Sequence, residues 1–280
     1  MLATERWRQM IEVEHAQSDE MRGAVPPPTD HWRPYAANFR ADPRRTGDDL
    51  VDLLLEYISP DQTVLDVGAG GGRLALPIAL KCRSLVAVEP SESMADVLTQ
   101  QAQESGIEIV SVVQEEWQDA QVDPVDIVLC AHVIYTIRDI GGFLKKLDAH
   151  AKKSVLLVVY NAPPQSQIYG IWQEVHGKER LPLPSLPELK EVLEELGINH
   201  QVDLMPPQSP RGFDDLEDAI GQLSRRLYVA AGSAQAHRLE QMLPGLLTEE
   251  EGVLRIRDSQ PLRPALVSWQ PNHPHSESCG

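Results

Sequence analysis

Residues 64–73 read Val-Leu-Asp-Val-Gly-Ala-Gly-Gly-Gly-Arg, a short apolar run followed by a turn that is almost free of side chains. An apolar run of this length before a glycine-rich turn predicts a buried strand that leads into a helix. Glycine adopts backbone dihedrals that other residues avoid, and without a Cβ atom it lets a bound molecule approach the main chain. The helix that begins near Arg73 would direct its free N–H groups at the same place. This turn is therefore the first candidate for a ligand site.

The spacing of the glycines distinguishes two kinds of ligand. A dinucleotide site has the pattern Gly-x-Gly-x-x-Gly and binds a pyrophosphate at the helix N-terminus. Here the pattern from Gly68 is Gly-x-Gly-x-Gly, and Arg73 stands where the third glycine of a dinucleotide site is expected. Asp66 precedes the turn, and a carboxylate in that place repels a pyrophosphate but attracts a cationic amino group.

A second acidic residue follows the next apolar run. Residues 85–89 read Leu-Val-Ala-Val-Glu, which predicts a strand with Glu89 at its carboxyl end, about 20 residues after the turn. The two oxygens of a carboxylate can accept hydrogen bonds from the cis-diol of a ribose. Asp66 and Glu89 together therefore predict a site for a nucleoside that carries a positive charge.

These residues resemble the class I S-adenosylmethionine-dependent methyltransferases, in the broad group that methylates small molecules. The resemblance covers positions 60–160 and rests on the Asp66–Gly72 motif, on Glu89 and on the Pro-Ser-Glu-Ser-Met run at 90–94. It implies S-adenosylmethionine as cofactor, with the glycine turn under its methionine part and Glu89 on its ribose hydroxyls. The cofactor-binding residues expected on this basis are Asp66, Gly68, Ala69, Gly70, Glu89, Pro90, Met94, Glu115, Glu116, Trp117 and Cys130.

The residues at the adenine end leave alternatives open. Met94 matches an apolar residue that packs on adenine in the resembling family, but it equally suits the apolar face of its own helix. Where an Asp often follows the third strand of that family, residues 114–117 read Gln-Glu-Glu-Trp. Glu115 or Glu116 could meet the adenine amine, or Trp117 could cover the ring by stacking.

The catalytic candidates follow the fourth predicted strand, where residues 131–135 read Ala-His-Val-Ile-Tyr. Ligands bind outside the carboxyl ends of the strands in open α/β sheets. His132 is the best candidate for a general base or an orienting group, and Tyr135 is the second. Both residues are open to a purely structural reading.

Apolar runs of strand length alternate with helical patterns, which predicts an α/β fold with a doubly wound, mostly parallel sheet. The resemblance implies seven strands, the last of them antiparallel beside the sixth. The predicted strands are 63–67, 85–89, 108–113, 125–130, 154–160, 198–204 and 265–269, with a further strand-like run at 253–257. The predicted helices are 74–82, 93–104, 140–149, 186–196, 213–229 and 234–247. The predicted domains are an N-terminal helical cap (1–45), a cofactor-binding core (46–160), a C-terminal part with helical insertions (161–270) and a disordered tail (271–280).

Segments outside the common core are the candidates for covering the site. The aromatic residues Trp32, Tyr35 and Phe39 either close over cofactor and acceptor or pack as a stripe on the sheet. Trp172 and His176 are further candidates for lining the same pocket.

Composition restricts the partners. The formal net charge is −17, which disfavours nucleic acid and anionic membrane surfaces. Three cysteines without a framework pattern and the absence of a long apolar run indicate a cytoplasmic protein without disulfides or membrane spans. No metal is expected.

The sequence thus predicts a methyltransferase that acts on an O, N or C atom of a small-molecule acceptor. The alternatives are a catalytically silent cofactor-binding or regulatory protein on the same fold, an RNA-modifying methyltransferase, and a dehydrogenase if NAD binds instead. Neither the acceptor nor the oligomeric state can be read from the residues.

Overall fold

The computed structural model describes residues 1–23, 29–208 and 212–271, and strands alternate with helices along most of them. The strands are β1 (Thr63–Val67), β2 (Ser84–Val88), β3 (Val110–Val113), β4 (Val125–Ala131), β5 (Ala151–Tyr160), β6 (Gln201–Leu204), β7 (Leu247–Glu250), β8 (Val253–Ile256) and β9 (Pro264–Trp269). The α-helices are α1 (Ala3–Arg22), α2 (Asp49–Glu56), α3 (Ala75–Ala79), α4 (Glu92–Glu104), α5 (Ile140–His150), α6 (Tyr169–His176), α7 (Leu186–Glu195), α8 (Leu216–Arg226) and α9 (Ala234–Leu246).

Seven of the nine described strands form one sheet in the order β3-β2-β1-β4-β5-β9-β6, as the predicted fold class requires. Strands β1 to β5 run parallel to one another, whereas β9 is antiparallel to both β5 and β6. The prediction of a doubly wound, mostly parallel sheet with an antiparallel seventh strand is therefore confirmed.

Apolar side chains cover both faces of this sheet. One buried cluster includes Trp7 of α1 and the facing side chains of α5 and α7, and the other includes Leu54 of α2 and Leu98 of α4. A third cluster lies among α6, α8 and α9, the helical additions to the common core. Helix α1 is tied to the loop after β4, because the Trp7 Nε1–H donates to the Ile137 carbonyl at 2.9 Å.

Three predicted elements differ from the structure. The predicted helix at 213–229 begins only at Leu216, where the Asp215 side chain accepts a hydrogen bond from the Asp218 N–H, because Phe213 is engaged in a bridge with Leu254. The strand-like run at 253–257 is real but pairs with β7 in a separate two-stranded sheet. The predicted helix at 74–82 is shortened to Ala75–Ala79, since tight turns flank it on both sides.

The register of the sheet brings the predicted site residues to one edge of the sheet. Asp66 lies opposite Ala87 of β2 and Leu129 of β4, so the glycine turn, Glu89 and His132 all follow their strands at one edge of the sheet. The predicted tail lies outside the described residues except for Pro271. Within the ranges given above, no helix combines the length and apolar character that crossing a bilayer requires.

Candidate active site

A crevice of about 380 Å³ opens at the carboxyl edge of β1, β2 and β4. Its volume lies within the range of small-molecule sites. The lining residues are Trp32, Phe39, Asp66, Gly68, Ala69, Gly70, Arg73, Leu74, Glu89, Pro90, Met94, Glu116, Ala131, His132, Val133, Thr136 and Ile137. The predicted cofactor residues Glu115, Trp117 and Cys130 are not among them, nor is the catalytic candidate Tyr135.

The glycine turn forms one wall of the crevice. Gly68 and Gly70 have φ angles of 76° and 55°, in the left-handed region that favours glycine. A Cβ atom on Gly68 would lie 2.3 Å from Cγ2 of Val133, whereas one on Gly70 would meet no atom within 4 Å. Gly68 therefore allows the loop after β4 to pack against the turn, and Gly70 leaves backbone facing open space.

Glu89 joins the turn to the segment after β2. Its carboxylate accepts hydrogen bonds from the Gly70 N–H at 2.8 Å and from the Ser91 N–H at 2.9 Å. Burial raises the pKa of Glu89, and the nearby charges of Glu116 and Asp30 raise it further, while the two N–H donors oppose this effect. The carboxylate is thus held in place at the crevice wall, with acceptor capacity left for a ligand.

Asp66 is the most unusual group in the crevice. This residue is only 2% exposed, and no N–H or O–H group of the described residues donates a hydrogen bond to its carboxylate. Burial, together with the charge of Glu89, raises the pKa of Asp66 to about 7. A buried carboxylate without a donor is costly, and a cationic hydrogen-bond donor in the crevice would relieve that cost.

Two of the residues predicted to meet adenine line the crevice. The Met94 side chain is buried at the start of α4 and lines the crevice, and its contact with adenine stays a prediction. Of the acidic pair, Glu116 lines the crevice, and Glu115 lies exposed beside it without lining it.

Trp117 and Cys130, which were predicted to bind the cofactor, do not line the crevice. The Trp117 ring is buried in the core, where the ammonium of Lys146 lies 4.5 Å from its centroid and His150 packs edge-on. The backbone turn after β3 points successive side chains in different directions, so Glu116 faces the crevice and its neighbour faces the core. Cys130 is fully buried within the sheet core because side chains alternate along β4, and Ala131 lines the crevice instead.

His132 stands in the crevice wall with a strained backbone. Its φ of 59° lies in the left-handed region, which is uncommon for a residue other than glycine. Its Nδ1 lies 3.2 Å from the Tyr135 hydroxyl, and its ring stacks on Tyr160 at 4.2 Å between centroids. Burial, with the positive charge of Arg73, lowers the pKa of His132 to about 4, so the ring is neutral at physiological pH.

Tyr135 lies behind His132 and does not line the crevice. Its hydroxyl accepts a hydrogen bond from the Tyr160 N–H at 2.8 Å, and burial raises its pKa far above the usual value. The prediction of Tyr135 as a catalytic group is therefore not supported by its position, because a residue that cannot reach a ligand acts only through His132.

Only some of the aromatic residues that were predicted to cover the site line the crevice. Trp32 and Phe39 line the crevice with their rings perpendicular and 5.6 Å apart, and Trp32 remains 44% exposed. Tyr35 does not line it. Trp172 and His176 lie elsewhere, because Arg180 covers the Trp172 ring at 4.1 Å and the His176 Nε2 lies 2.8 Å from the Leu227 carbonyl in the third cluster.

Sequence reasoning missed Arg73 as a crevice residue, although it marked this position as one where a glycine was absent. The Arg73 guanidinium donates to Asp48 at 2.8 Å, and the same carboxylate also accepts from Arg45. One carboxylate between two guanidinium groups leaves a net positive charge beside the crevice. Val133, Thr136 and Ile137 were also missed, although they belong to the loop that carries His132.

Known proteins are similar to this chain in sequence and in fold. A protein of Haemophilus influenzae, described only as uncharacterized, is 27% identical over 60% of this chain and 66% of its own length. The ubiquinone biosynthesis O-methyltransferase of Rickettsia prowazekii is 30% identical over 39% of this chain and 44% of its own length. The chain thus spans less than two thirds of the length of these curated relatives.

The solved structure of YcgJ from Bacillus subtilis has the same fold, with a TM-score of 0.58, 19% identity and coverage of 81% of this chain and 100% of that one. A family model described as a methyltransferase domain matches residues 33–200, which is more than half of the chain and includes every residue of the crevice except Trp32. The chain therefore belongs to this methyltransferase-domain family, and its fold is that of the class I methyltransferases.

Proposed function

We propose that this protein binds S-adenosylmethionine in the crevice and transfers its methyl group to a small-molecule acceptor. The observation that carries the proposal is the buried Asp66 carboxylate, which faces a ligand-sized space and has no donor among the described residues. The cationic amino group and the sulfonium of this cofactor would supply the positive charge for which the Asp66 carboxylate has no partner in the described part of the chain.

The other crevice residues suit the remaining parts of the cofactor. Glu89 retains acceptor capacity for the ribose hydroxyls, and the open backbone at Gly70 admits a ligand at van der Waals distance. Met94 offers an apolar surface for adenine, and Glu116, which also lines the crevice, offers an acceptor for the adenine amine. The charge and hydrogen-bonding capacity of these residues therefore support the cofactor assignment.

A bound cofactor supplies an activated methyl group, so the protein mainly has to align an acceptor and exclude water. Alignment of reacting groups can lower a barrier by about 7 to 11 kcal/mol in favourable cases. Trp32 and Phe39 offer apolar cover at the mouth of the crevice, and His132 offers a fixed polar group on its wall. With a pKa of about 4, His132 is neutral and can orient an acceptor without carrying charge.

Two further observations support a small acceptor. The relative in Rickettsia prowazekii is by its description a ubiquinone biosynthesis O-methyltransferase, which acts on a small molecule. The formal net charge of −17 makes binding to a phosphate backbone unfavourable.

Calorimetric titration with S-adenosylhomocysteine tests the cofactor assignment. We expect binding to the wild type and a loss of at least tenfold in affinity for Glu89→Gln, because a hydrogen bond to a charged group is worth about 1.5–3 kcal/mol. Glu115→Gln is the matched control: it changes the same residue type outside the crevice and should keep wild-type affinity. Absence of binding to the wild type, or NAD binding in its place, would refute the proposal.

A further inference from the structure

The hydrogen-bonding state of His132 can be derived from its neighbours. The Tyr135 hydroxyl already accepts from the Tyr160 N–H at 2.8 Å, and its remaining neighbour is Nδ1 of His132 at 3.2 Å. Tyr135 is buried, so a hydroxyl proton without an acceptor would cost free energy. The arrangement that satisfies every group has Tyr135 donating to Nδ1, which leaves the ring proton on Nε2.

The protonated nitrogen is the one available to a ligand. Nδ1 and Nε2 lie on opposite sides of the imidazole ring, and Nδ1 faces Tyr135 behind the crevice wall. Nε2 has no hydrogen-bond partner among the described residues, and His132 lines the crevice. A neutral imidazole with its proton on Nε2 presents a donor there and cannot accept a proton at that atom.

The charge beside His132 is positive, so it favours the same kind of ligand atom as a hydrogen-bond donor does. Arg73 lines the crevice and lies near enough to His132 for its positive charge to lower the pKa of that ring. Its ion-pair partner Asp48 is shared with Arg45, so this carboxylate neutralises only one of the two guanidinium charges. The acidic groups Asp66, Glu89 and Glu116 belong to the part that we assign to the cofactor. The described lining residues that we do not assign to the cofactor therefore offer a donor and a cation, and none of them is a carboxylate.

We propose that the acceptor presents an already ionised oxygen, as in a carboxylate or an acidic phenol, which the Nε2–H of His132 and the Arg73 guanidinium hold, with Tyr135 as the positioning residue that fixes the His132 tautomer. This inference rests on the proposed function. The acceptor oxygen forms a bond to the methyl carbon while the carbon–sulfur bond breaks and its electron pair stays on sulfur. A negative oxygen and a positive sulfonium both become neutral, no proton leaves, and no general base is needed.

The tautomer is measured in the free protein by ¹⁵N NMR of the histidine side chains, with His132→Gln used to assign the signals. We expect wild-type His132 to show a protonated Nε2 and an unprotonated Nδ1 near neutral pH. Tyr135→Phe should convert this signal pattern into a mixture of the two tautomers. A proton on Nδ1 in the wild type, or a pattern that Tyr135→Phe leaves unchanged, would overturn the assignment.

The acceptor class is measured by titrating benzoate and benzamide, which differ little in shape, into the protein saturated with S-adenosylhomocysteine. We expect benzoate to bind at least tenfold more tightly and to shift the His132 Nε2 signal. His132→Gln places an amide donor near the same position and should keep the preference, whereas His132→Phe keeps a ring on Tyr160 and should lose it. Equal affinity for the two compounds, or no shift of the Nε2 signal, would overturn the proposal.

The two proposals fail in different ways. If S-adenosylhomocysteine does not bind, the cofactor assignment is wrong, but the tautomer is still measured in the free protein. If it binds and benzoate shows no preference, the methyltransferase assignment stands and only the acceptor class is wrong. Thermal unfolding of each variant identifies any substitution that acts through loss of the fold.

Discussion

Replacing Asp66 with asparagine tests whether the acidic crevice lowers the stability of the fold. Burial and the Glu89 charge raise the pKa of Asp66 from 3.8 to about 7 in the folded protein, while the unfolded chain has the ordinary value. Between these two values the folded protein binds more protons than the unfolded chain. The free energy of unfolding therefore falls as pH rises through this window, and the loss is complete above the folded-state pKa.

The difference between the two pKa values corresponds to about 4 kcal/mol once pH exceeds both. From about pH 5 to about pH 8, the contribution of Asp66 changes by about 2.5 kcal/mol. Asparagine has nearly the same shape and cannot ionise. We therefore expect Asp66→Asn to be more stable than the wild type, with a gain that is larger by about 2.5 kcal/mol at the higher pH.

Urea unfolding followed by tryptophan fluorescence, without added ligand, measures this difference at the two pH values. Asp126→Asn is the control at the opposite edge of the sheet, where the Thr63 N–H and Lys153 lower the pKa of the carboxyl group. Its stabilising effect is present throughout this pH range, so this substitution should destabilise by a similar amount at both values. A gain for Asp66→Asn that does not grow with pH would refute the reasoning.

Three further predictions separate the roles of individual positions. Gly68→Ala should lower the free energy of unfolding by about 2–4 kcal/mol, since its Cβ would collide with Val133. Gly106 also has a left-handed φ but faces open space, so Gly106→Ala should lower the free energy of unfolding by only about 1 kcal/mol. Urea unfolding measures both changes. Trp117→Ala should destabilise by about 3–5 kcal/mol and leave the affinity for S-adenosylhomocysteine unchanged, because the ring is in the core; a loss of affinity in the folded variant would contradict this. Trp32→Ala should weaken that affinity in calorimetry with little change in melting temperature, since the ring is largely exposed at the crevice mouth.

The fold was largely predictable because its signals are local. The strand 63–67 coincides with β1, and the helix at 93–104 begins within one residue of α4, where the Ser91 hydroxyl caps the N-terminus. Apolar runs, glycine turns and capping side chains act within a few residues, so they can be read directly from the chain. Strand β7 was not predicted, because its residues, Leu247–Glu250, are mostly polar and are held in a strand by β8.

The predicted site residues that lie away from the crevice are those whose side-chain direction depends on distant residues. Trp117 follows the two glutamates directly, and only the position of Lys146 on α5 shows that its ring faces the core. Cys130 adjoins the crevice along the chain, but the pleat of β4 turns it inward. Trp172 and His176 depend on α8 and α9, whose packing no short-range pattern specifies.

Strand β9 lies between β5 and β6, although it comes last of the described strands along the chain, and all its residues are buried. During synthesis on the ribosome, β5 and β6 are made long before residues 264–269 emerge. Their backbone edges therefore remain unpaired in the nascent chain, and such edges are prone to pair with other chains. The sheet is consequently completed only once residues 264–269 have been made and can insert between β5 and β6.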